Sequence, residues 1–208
     1  MDAMTKERPI IFSGDMVNAI LAGNKTQTRR VIKPQPWLID PAEKEYHKWE
    51  CYDGKNYYLI ECPYGQPGDR PWVRETFGYI TLAENEVFTA RRPDGCPVRI
   101  YYKSEANREG WVDMVPWTPS VFMPRWASRI MLEIVSIRVE RLQDISEADA
   151  FAEGISGGDW LGDPVGEFKK LWNSINEKRG FGWETNCWVW VIGFKKLETA
   201  PRTDVLNY

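Results

Sequence analysis

RIMLEIVSIRVERL, residues 129–142, is the stretch that decides the fold. Successive side chains of a strand point to opposite faces, so this apolar-rich run predicts one long strand. The two predicted faces are Ile130, Leu132, Ile134, Ser136 and Arg138 on one side, and Met131, Glu133, Val135, Ile137 and Val139 on the other.

Two helices and a strand are predicted downstream of this run. Ser146 and Asp149 have the spacing of a capping box, which predicts a short helix closed by Gly154. Asp163-Pro164 predicts the start of a second helix, whose apolar stripe is Phe168, Leu171, Trp172 and Ile175. Residues 188–194 predict a final buried strand.

The N-terminal half has shorter elements. PIIF (9–12) predicts a strand, 15–22 a helix that ends at Gly23, and 26–32 an extended segment. Residues 33–66 are interpreted as a long loop, PYGQPGD (63–69) as a turn and 72–77 as a strand. Residues 79–120 are interpreted as irregular, with strands at 86–90 and 98–102. The order favours an α+β fold, a small bent sheet or barrel with flanking helices.

Composition narrows the function classes. The 208 residues carry a formal net charge of −3, which argues against a long duplex-binding face but not against a small nucleoside site. The apolar runs are short and the N-terminus lacks a signal-peptide core, so we expect a cytoplasmic protein without a membrane partner. His47 and the four cysteines have no zinc spacing, so no metal and no cofactor is expected.

AGNKTQTRRVIK, residues 22–33, holds four basic residues in an acidic chain. It raises three alternatives: a nucleic-acid patch, a solvated loop or the start of an active site. Four charges are few for a polybasic patch, which favours the second and third alternatives.

Four segments together carry a family resemblance. ILAGNKTQTRR (20–30), PGDRPWVRETF (67–77), RLQDISEADAFAEGI (141–155) and CWVWVIGFKKL (187–197) resemble the ASCH family, named for activating signal cointegrator homology, and most closely its long form in bacteriophages and prophages. The resemblance implies a single PUA-like mixed β-barrel domain over 1–208, with insertions at about 33–62 and 79–120 and a cleft for RNA or a nucleoside.

The resemblance also implies a reaction. Small bacterial ASCH members are amidohydrolases that remove the acetyl group from N4-acetylcytidine. Their lysine, threonine and glutamate align with Lys25, Thr28 and Glu153 of this chain. A lysine of lowered pKa can deprotonate a threonine hydroxyl, and a carboxylic acid can protonate the leaving amine. Thr28 follows Lys25 by three residues, so on a straight strand the two would point to opposite faces.

Other residues are candidates for substrate binding. Arg29 and Arg30 are predicted to tune Lys25 or hold an anionic ligand, Trp72 to stack on a base, and Arg74 to pair with a phosphate or the base edge. Glu75, next to Arg74, is a further substrate-binding candidate in the cleft. The alternatives are a solvated lysine, an ordinary strand threonine, a surface carboxylate, and an Arg–Glu surface pair beside a core tryptophan. Arg125 and Arg129, which flank Trp126, have two equal alternatives. They contact a phosphate while the tryptophan stacks, or they begin a strand and shield an apolar edge.

Three functions follow from these residues. The first is a nucleoside-directed amidohydrolase, the second a non-catalytic module that binds RNA or a modified base, and the third a phage accessory protein that acts through a phage or host protein partner.

Overall fold

The computed structural model describes residues 5–40, 47–83, 90–106, 115–155 and 162–198. The described strands, in chain order, are β1 (Glu7–Ile11), β2 (Gln27–Val31), β3 (Leu38–Ile39), β4 (Lys48–Tyr52), β5 (Tyr57–Glu61), β6 (Arg70–Arg74), β7 (Phe77–Thr81), β8 (Ala90–Arg91), β9 (Pro97–Tyr102), β10 (Met131–Arg141) and β11 (Trp188–Leu197). The α-helices are α1 (Gly14–Leu21), α2 (Glu147–Ala152) and α3 (Pro164–Asn176). The mixture is α+β, as predicted.

The chain divides into two compact units. Unit 1 comprises the described residues within Met1–Leu21, Arg70–Leu132 and Lys196–Tyr208, and unit 2 those within Ala22–Asp69 and Glu133–Lys195. None of the helices that the structure describes combines the length and the apolar character needed to cross a membrane.

Unit 1 contains a parallel strand pair and a small antiparallel sheet. β1 pairs with β6 from Glu7–Arg70 to Ile11–Arg74, and Met131 at the start of β10 pairs with Trp72. β7, β9 and β8 form the second sheet, which packs its inner face around Phe77, Val98 and Met123.

Gly78 in β7 is a point of close approach. A Cβ at this residue would lie 2.2 Å from Val115 Cγ1 and 2.9 Å from the Pro116 carbonyl oxygen, so only glycine leaves room for the segment that crosses it.

Unit 2 places β11 between β10 and β2. β11 and β2 are antiparallel, with Val191 opposite Arg29 and Ile192 opposite Thr28. One face of these strands packs in a cluster with Ile134, Trp190 and Ile192, and the other with α2 and α3 through Val189, Val191, Phe168 and Trp172. The predicted caps are confirmed: Ser146 and Asp149 form the capping box, and Asp163 accepts from the Gly166 N–H.

Residues 33–66 are not a long loop, contrary to the sequence prediction. They contain the antiparallel sheet β3-β4-β5, whose inner residues Ile39, Trp49 and Cys51 are fully buried in the core of unit 2. Exposed apolar residues on the outer face, among them Leu38, Tyr57 and Leu59, hide the alternation that would have predicted the sheet.

Three further predictions need correction. Ile134 and Ile137 were placed on opposite faces of β10, but both join the same core cluster, because Val135 and Ser136 are exposed in succession and shift the alternation by one residue. The strand predicted over 72–77 ends at Arg74, and β7 begins at Phe77. No pairing among the described strands closes a barrel.

The strand predicted at 86–90 lies mostly outside the described residues, and only its last residue, Ala90, is in a described strand. The strand at 98–102 is confirmed as part of β9. The predicted Gly-Asp turn is also present, with Gly68 at φ 92° and buried Asp69 accepting from the Gln66 N–H.

Candidate functional site

The segment before β2 lies against the C-terminal end of α2, within unit 2. Gly23 ends α1 with φ 80°, and the chain then forms an isolated antiparallel bridge between Lys25 and Glu153. The Thr26 N–H donates to the Ala152 carbonyl at 2.9 Å. Main-chain contacts therefore bring these two residues together before their side chains interact.

Lys25 and Glu153 form a buried ion pair. Lys25 Nζ lies 2.7 Å from Glu153 Oε2 and 2.7 Å from the Glu153 carbonyl oxygen. The lysine is 2% exposed and the glutamate 4%. Burial lowers the pKa of Lys25, the charge and hydrogen bond of Glu153 oppose that shift, and the charges of Arg30 and Arg29 add to it. The lysine is thus neither a solvated side chain nor an ordinary ion-pair partner.

Arg29 joins the same site from β2. Its side chain is fully buried, with Nη1 3.3 Å from Glu153 Oε1 and Nη2 3.3 Å from Asp149 Oδ2. Nη2 also donates to Glu140 Oε1 through a short contact. Arg29 Nε has no hydrogen-bond partner in the described part of the chain. One guanidinium thereby contacts three carboxylates.

A second arginine extends this network toward solvent. Arg138 donates to Glu140 Oε2 at 3.0 Å, to Asp149 Oδ1 at 2.9 Å and to Gln27 Oε1 at 3.1 Å. Lys25, Arg29 and Arg138 are then balanced by Glu140, Asp149 and Glu153.

Asp149 connects the network to the cap of α2. Its carboxylate accepts from the backbone and hydroxyl of Ser146 and from Gln27 Nε2. Burial raises the pKa of Asp149, but these hydrogen bonds and the charges of Arg29 and Arg138 outweigh it and lower the pKa to about 2. The acidic residue of the capping box thus also contacts both arginines.

Sequence reasoning did not select Gln27, Arg138, Glu140 or Asp149 as site residues. A signal was present, because Gln27 and Arg29, like Arg138 and Glu140, are two residues apart and share a strand face. The sequence does not give the order of β2, β11 and β10, so it could not show that these faces meet the same helix.

Thr28 and Arg30 lie on the other face of β2. Thr28 is opposite Ile192 and Arg30 opposite Trp190, and both partners belong to the core cluster that faces away from α2. Arg30 stacks over Tyr64 at 5.8 Å, and burial lowers its pKa. The structure therefore joins Lys25, Glu153 and Arg29, while strand alternation turns Thr28 away from Arg29.

The remaining predicted residues belong to unit 1. Trp72 is 7% exposed and its ring lies 4.8 Å from the Arg74 guanidinium, which leaves little ring surface for a base. Arg74 Nη1 donates to the Val121 carbonyl at 3.0 Å.

Glu75 pairs with Arg129 and not with Arg74. Its buried carboxylate accepts from Arg129 Nε at 2.9 Å and from Ser104 Oγ at 2.6 Å. Arg125 instead pairs with Glu7 at 2.8 Å, and Trp126 packs edge-on against Tyr79. The arginines around Trp126 thus have intramolecular carboxylate partners.

Metal-binding side chains do not cluster in the described residues, where no group of three or more His, Cys, Asp or Glu could hold an ion. The four cysteines are free thiols.

Comparisons with known proteins give one similarity. No protein-family model matches the chain, and no curated protein matches it. The chain is similar to the high-resolution crystal structure of an ASCH domain from Lactobacillus crispatus JV V101, with 16% identity, coverage of 92% of this chain and 79% of that chain, and a TM-score of 0.39. A TM-score of 0.39 does not establish a shared fold.

Proposed function

We propose that the chain is an ASCH-like protein directed at nucleosides or RNA, and that it hydrolyses the amide of N4-acylated cytidines. The observation that carries this proposal is the buried pair in which Lys25 Nζ lies 2.7 Å from Glu153 Oε2. Buried ionisable groups whose pKa is shifted by burial and a specific charge partner occur more often at functional sites than elsewhere, and Lys25 beside Glu153 is such a group.

Glu153 supplies the two proton transfers that amide hydrolysis requires, and Lys25 supplies a positive charge. Glu153 accepts a proton from a water molecule as the water oxygen attacks the acyl carbon. The Lys25 ammonium stabilises the oxyanion that forms. The C–N4 bond then breaks, Glu153 returns the proton to N4, and the products are the free carboxylic acid and cytidine.

Thr28 is not required in this scheme. The ASCH resemblance implies a threonine nucleophile, whereas Thr28 lies on the face of β2 that carries Arg30. We therefore use water as the nucleophile. A Thr28→Val variant separates the two schemes, because it removes the hydroxyl with little change of volume.

The test measures acid release from a panel of N4-acylcytidines by chromatography. We expect Lys25→Met and Glu153→Gln each to lower kcat/KM by roughly 10²-fold or more, because the first removes the cation that stabilises the oxyanion and the second the group that transfers the proton. Lys170→Met and Glu167→Gln, on the exposed face of α3, are the matched controls and should retain wild-type rates.

Two outcomes would change the proposal. If the wild-type chain releases no acid from any substrate in the panel, amidohydrolase function is wrong. If Thr28→Val is as inactive as Lys25→Met while both remain folded, threonine and not water is the nucleophile.

A non-catalytic nucleic-acid-binding module is the second candidate, and a charge imbalance favours it. The described residues of unit 1 include eleven Lys and Arg and six Asp and Glu, an excess of five positive charges in a chain of net charge −3. Within the described ranges, Arg74 forms no ion pair with a carboxylate, and Arg70 acts on Glu7 by charge without a salt-bridge contact. Phe122, which follows the Val121 whose carbonyl accepts from Arg74, is 70% exposed. Arginines and an exposed ring suit a single strand.

A further inference from the structure

Arg29 is a buried arginine in contact with three carboxylates. Its side chain is completely buried and contacts Glu140, Asp149 and Glu153. Moving an arginine side chain from water into the protein interior costs roughly several kcal/mol, unless the surrounding charges and hydrogen bonds offset that cost. Its Nε remains without a partner in the described residues, so the three carboxylates and not a complete hydrogen-bond shell hold it.

The two oxygens of Glu153 are divided between two cations. Oε2 accepts from Lys25 at 2.7 Å, and Oε1 faces Arg29 Nη1 at 3.3 Å. A carboxylate held through both oxygens has one orientation, whereas a carboxylate held through one oxygen can rotate.

We propose that Arg29 is a positioning residue, which fixes the Glu153 carboxylate on Lys25 and ties this pair to the cap of α2 through Asp149. The inference rests on the proposed function for its catalytic meaning, but its geometry holds without it. Arg29 acts through Glu153 and Lys25 and itself contacts no reacting atom in the proposed scheme.

Arg29 also acts on Lys25 through charge. The charged groups that face Lys25 are Glu153 at the end of α2 and Arg29 and Arg30 on β2, and burial lowers its pKa further. Loss of Arg29 removes a cation that acts on Lys25, and it removes the cation that competes with Lys25 for the Glu153 carboxylate. Both changes raise the pKa of Lys25.

Arg138 provides a matched control within the same network. It contacts Glu140, Asp149 and Gln27, as Arg29 contacts Glu140 and Asp149, but among the described residues it forms no hydrogen bond or ion pair with Glu153. Arg138→Met therefore removes one cation from the network without releasing the Glu153 carboxylate.

The experiment titrates the Lys25 amine by NMR in protein labelled with ¹³Cε-lysine, with the signal assigned from Lys25→Met. We expect Arg29→Met to raise the pKa of Lys25, Arg29→Lys to restore part of the wild-type value, and Arg138→Met to leave it unchanged. Circular dichroism and thermal unfolding establish that each variant is folded, and Arg29→Lys serves as the main comparison if Arg29→Met does not fold.

The titration requires no turnover, so it stands even if no acylcytidine is hydrolysed. If Arg29→Met and Arg29→Lys leave the pKa of Lys25 unchanged, or if Arg138→Met shifts it equally, Arg29 is only structural and the proposal is wrong. Where turnover is found, we also expect Arg29→Met to lower kcat by roughly 10²-fold with little change in KM, because the reacting groups are misplaced.

Discussion

Lys25 shows how the same residue type changes its chemistry with its surroundings. In the sequence it is one of four cations in a short stretch, and in the structure its Nζ lies 2.7 Å from Glu153 Oε2. Arg29, on the face of β2 that meets α2, is buried among acids, while Arg30 packs on Tyr64 from the opposite face. Strand alternation therefore gives adjacent arginines different environments.

Asp149 makes a pH-dependent contribution to stability. Its pKa in the folded chain, about 2, lies below the ordinary value of 3.8. The ionised carboxylate thus stabilises the fold above about pH 4, and this stabilisation is lost as the pH falls toward 2. We expect Asp149→Asn to lower the free energy of unfolding by about 2 kcal/mol at pH 7.

Urea unfolding of wild type and Asp149→Asn between pH 2 and pH 7 measures this difference. It should shrink on acidification and nearly vanish at pH 2. A difference that stays constant over this range would show that the charge of Asp149 is not what stabilises the fold.

At the scale of elements, the sheet β3-β4-β5 was not predicted from the sequence. Trp49 of β4 is completely buried and meets Trp190 of β11 edge-on, with ring centroids 4.9 Å apart. A segment rich in charge and turn residues therefore supplies part of the core of unit 2.

Substitution of Trp49 tests this packing. We expect Trp49→Ala to lower the free energy of unfolding by about 3–5 kcal/mol, the usual cost of deleting a buried aromatic side chain. Trp49→Phe should cost much less, because the indole Nε1 has no hydrogen-bond partner in the described residues and the ring is largely retained. Chemical denaturation of both variants gives the comparison. Equal and small effects would mean that β4 does not pack on the core.

Helices and strands with local signals could be predicted from the sequence. The Ser146–Asp149 box, the Asp163 cap and the apolar run of β10 each depend on neighbouring residues. The alternation shift at Val135–Ser136 and the sheet in 33–66 could not be predicted, because both depend on contacts between residues distant in sequence.

The candidate site was predictable only in part for the same reason. The ASCH resemblance selected Lys25 and Glu153, and the structure joins them. It could not select Arg138 and Glu140, because their contacts with Asp149 and Arg29 depend on how α2 and β2 lie beside β10.

At the scale of the whole molecule, charge is distributed unevenly along the chain. Unit 1 has five excess positive charges among its described residues, although the full sequence has net charge −3. Net charge alone therefore underestimates the capacity of unit 1 to attract a phosphate backbone.

Binding of a fluorescent oligouridine measures that capacity. We expect the double variant Arg70→Gln/Arg74→Gln to weaken binding and to reduce the slope of log affinity against log salt by about 1.4, roughly 0.7 for each lost phosphate contact. Phe122→Ala should weaken binding with no change of slope, because stacking releases no counterions.

Arg92→Gln, whose guanidinium is paired with Asp94 at 2.9 Å, is the control for charge, and Tyr57→Ala is the control for an exposed ring. A nucleic-acid surface in unit 1 would be wrong if Arg70→Gln/Arg74→Gln and Phe122→Ala leave the affinity unchanged. It would also be wrong if the two control variants weaken binding as much as these do.

Gly78 affects how mutational data on this protein are interpreted. Every other amino acid would bring a Cβ within 2.9 Å of the Pro116 carbonyl oxygen. In a saturation library selected for function, substitutions of Gly78 will therefore be depleted as strongly as substitutions of a reactive residue, although glycine has no reactive side chain. Depletion of Gly78 variants reports the close approach of two main-chain segments, whereas depletion of Lys25 variants reports loss of chemistry. Measuring the cellular abundance of each variant separates the two, because only the Gly78 variants should be lost through misfolding.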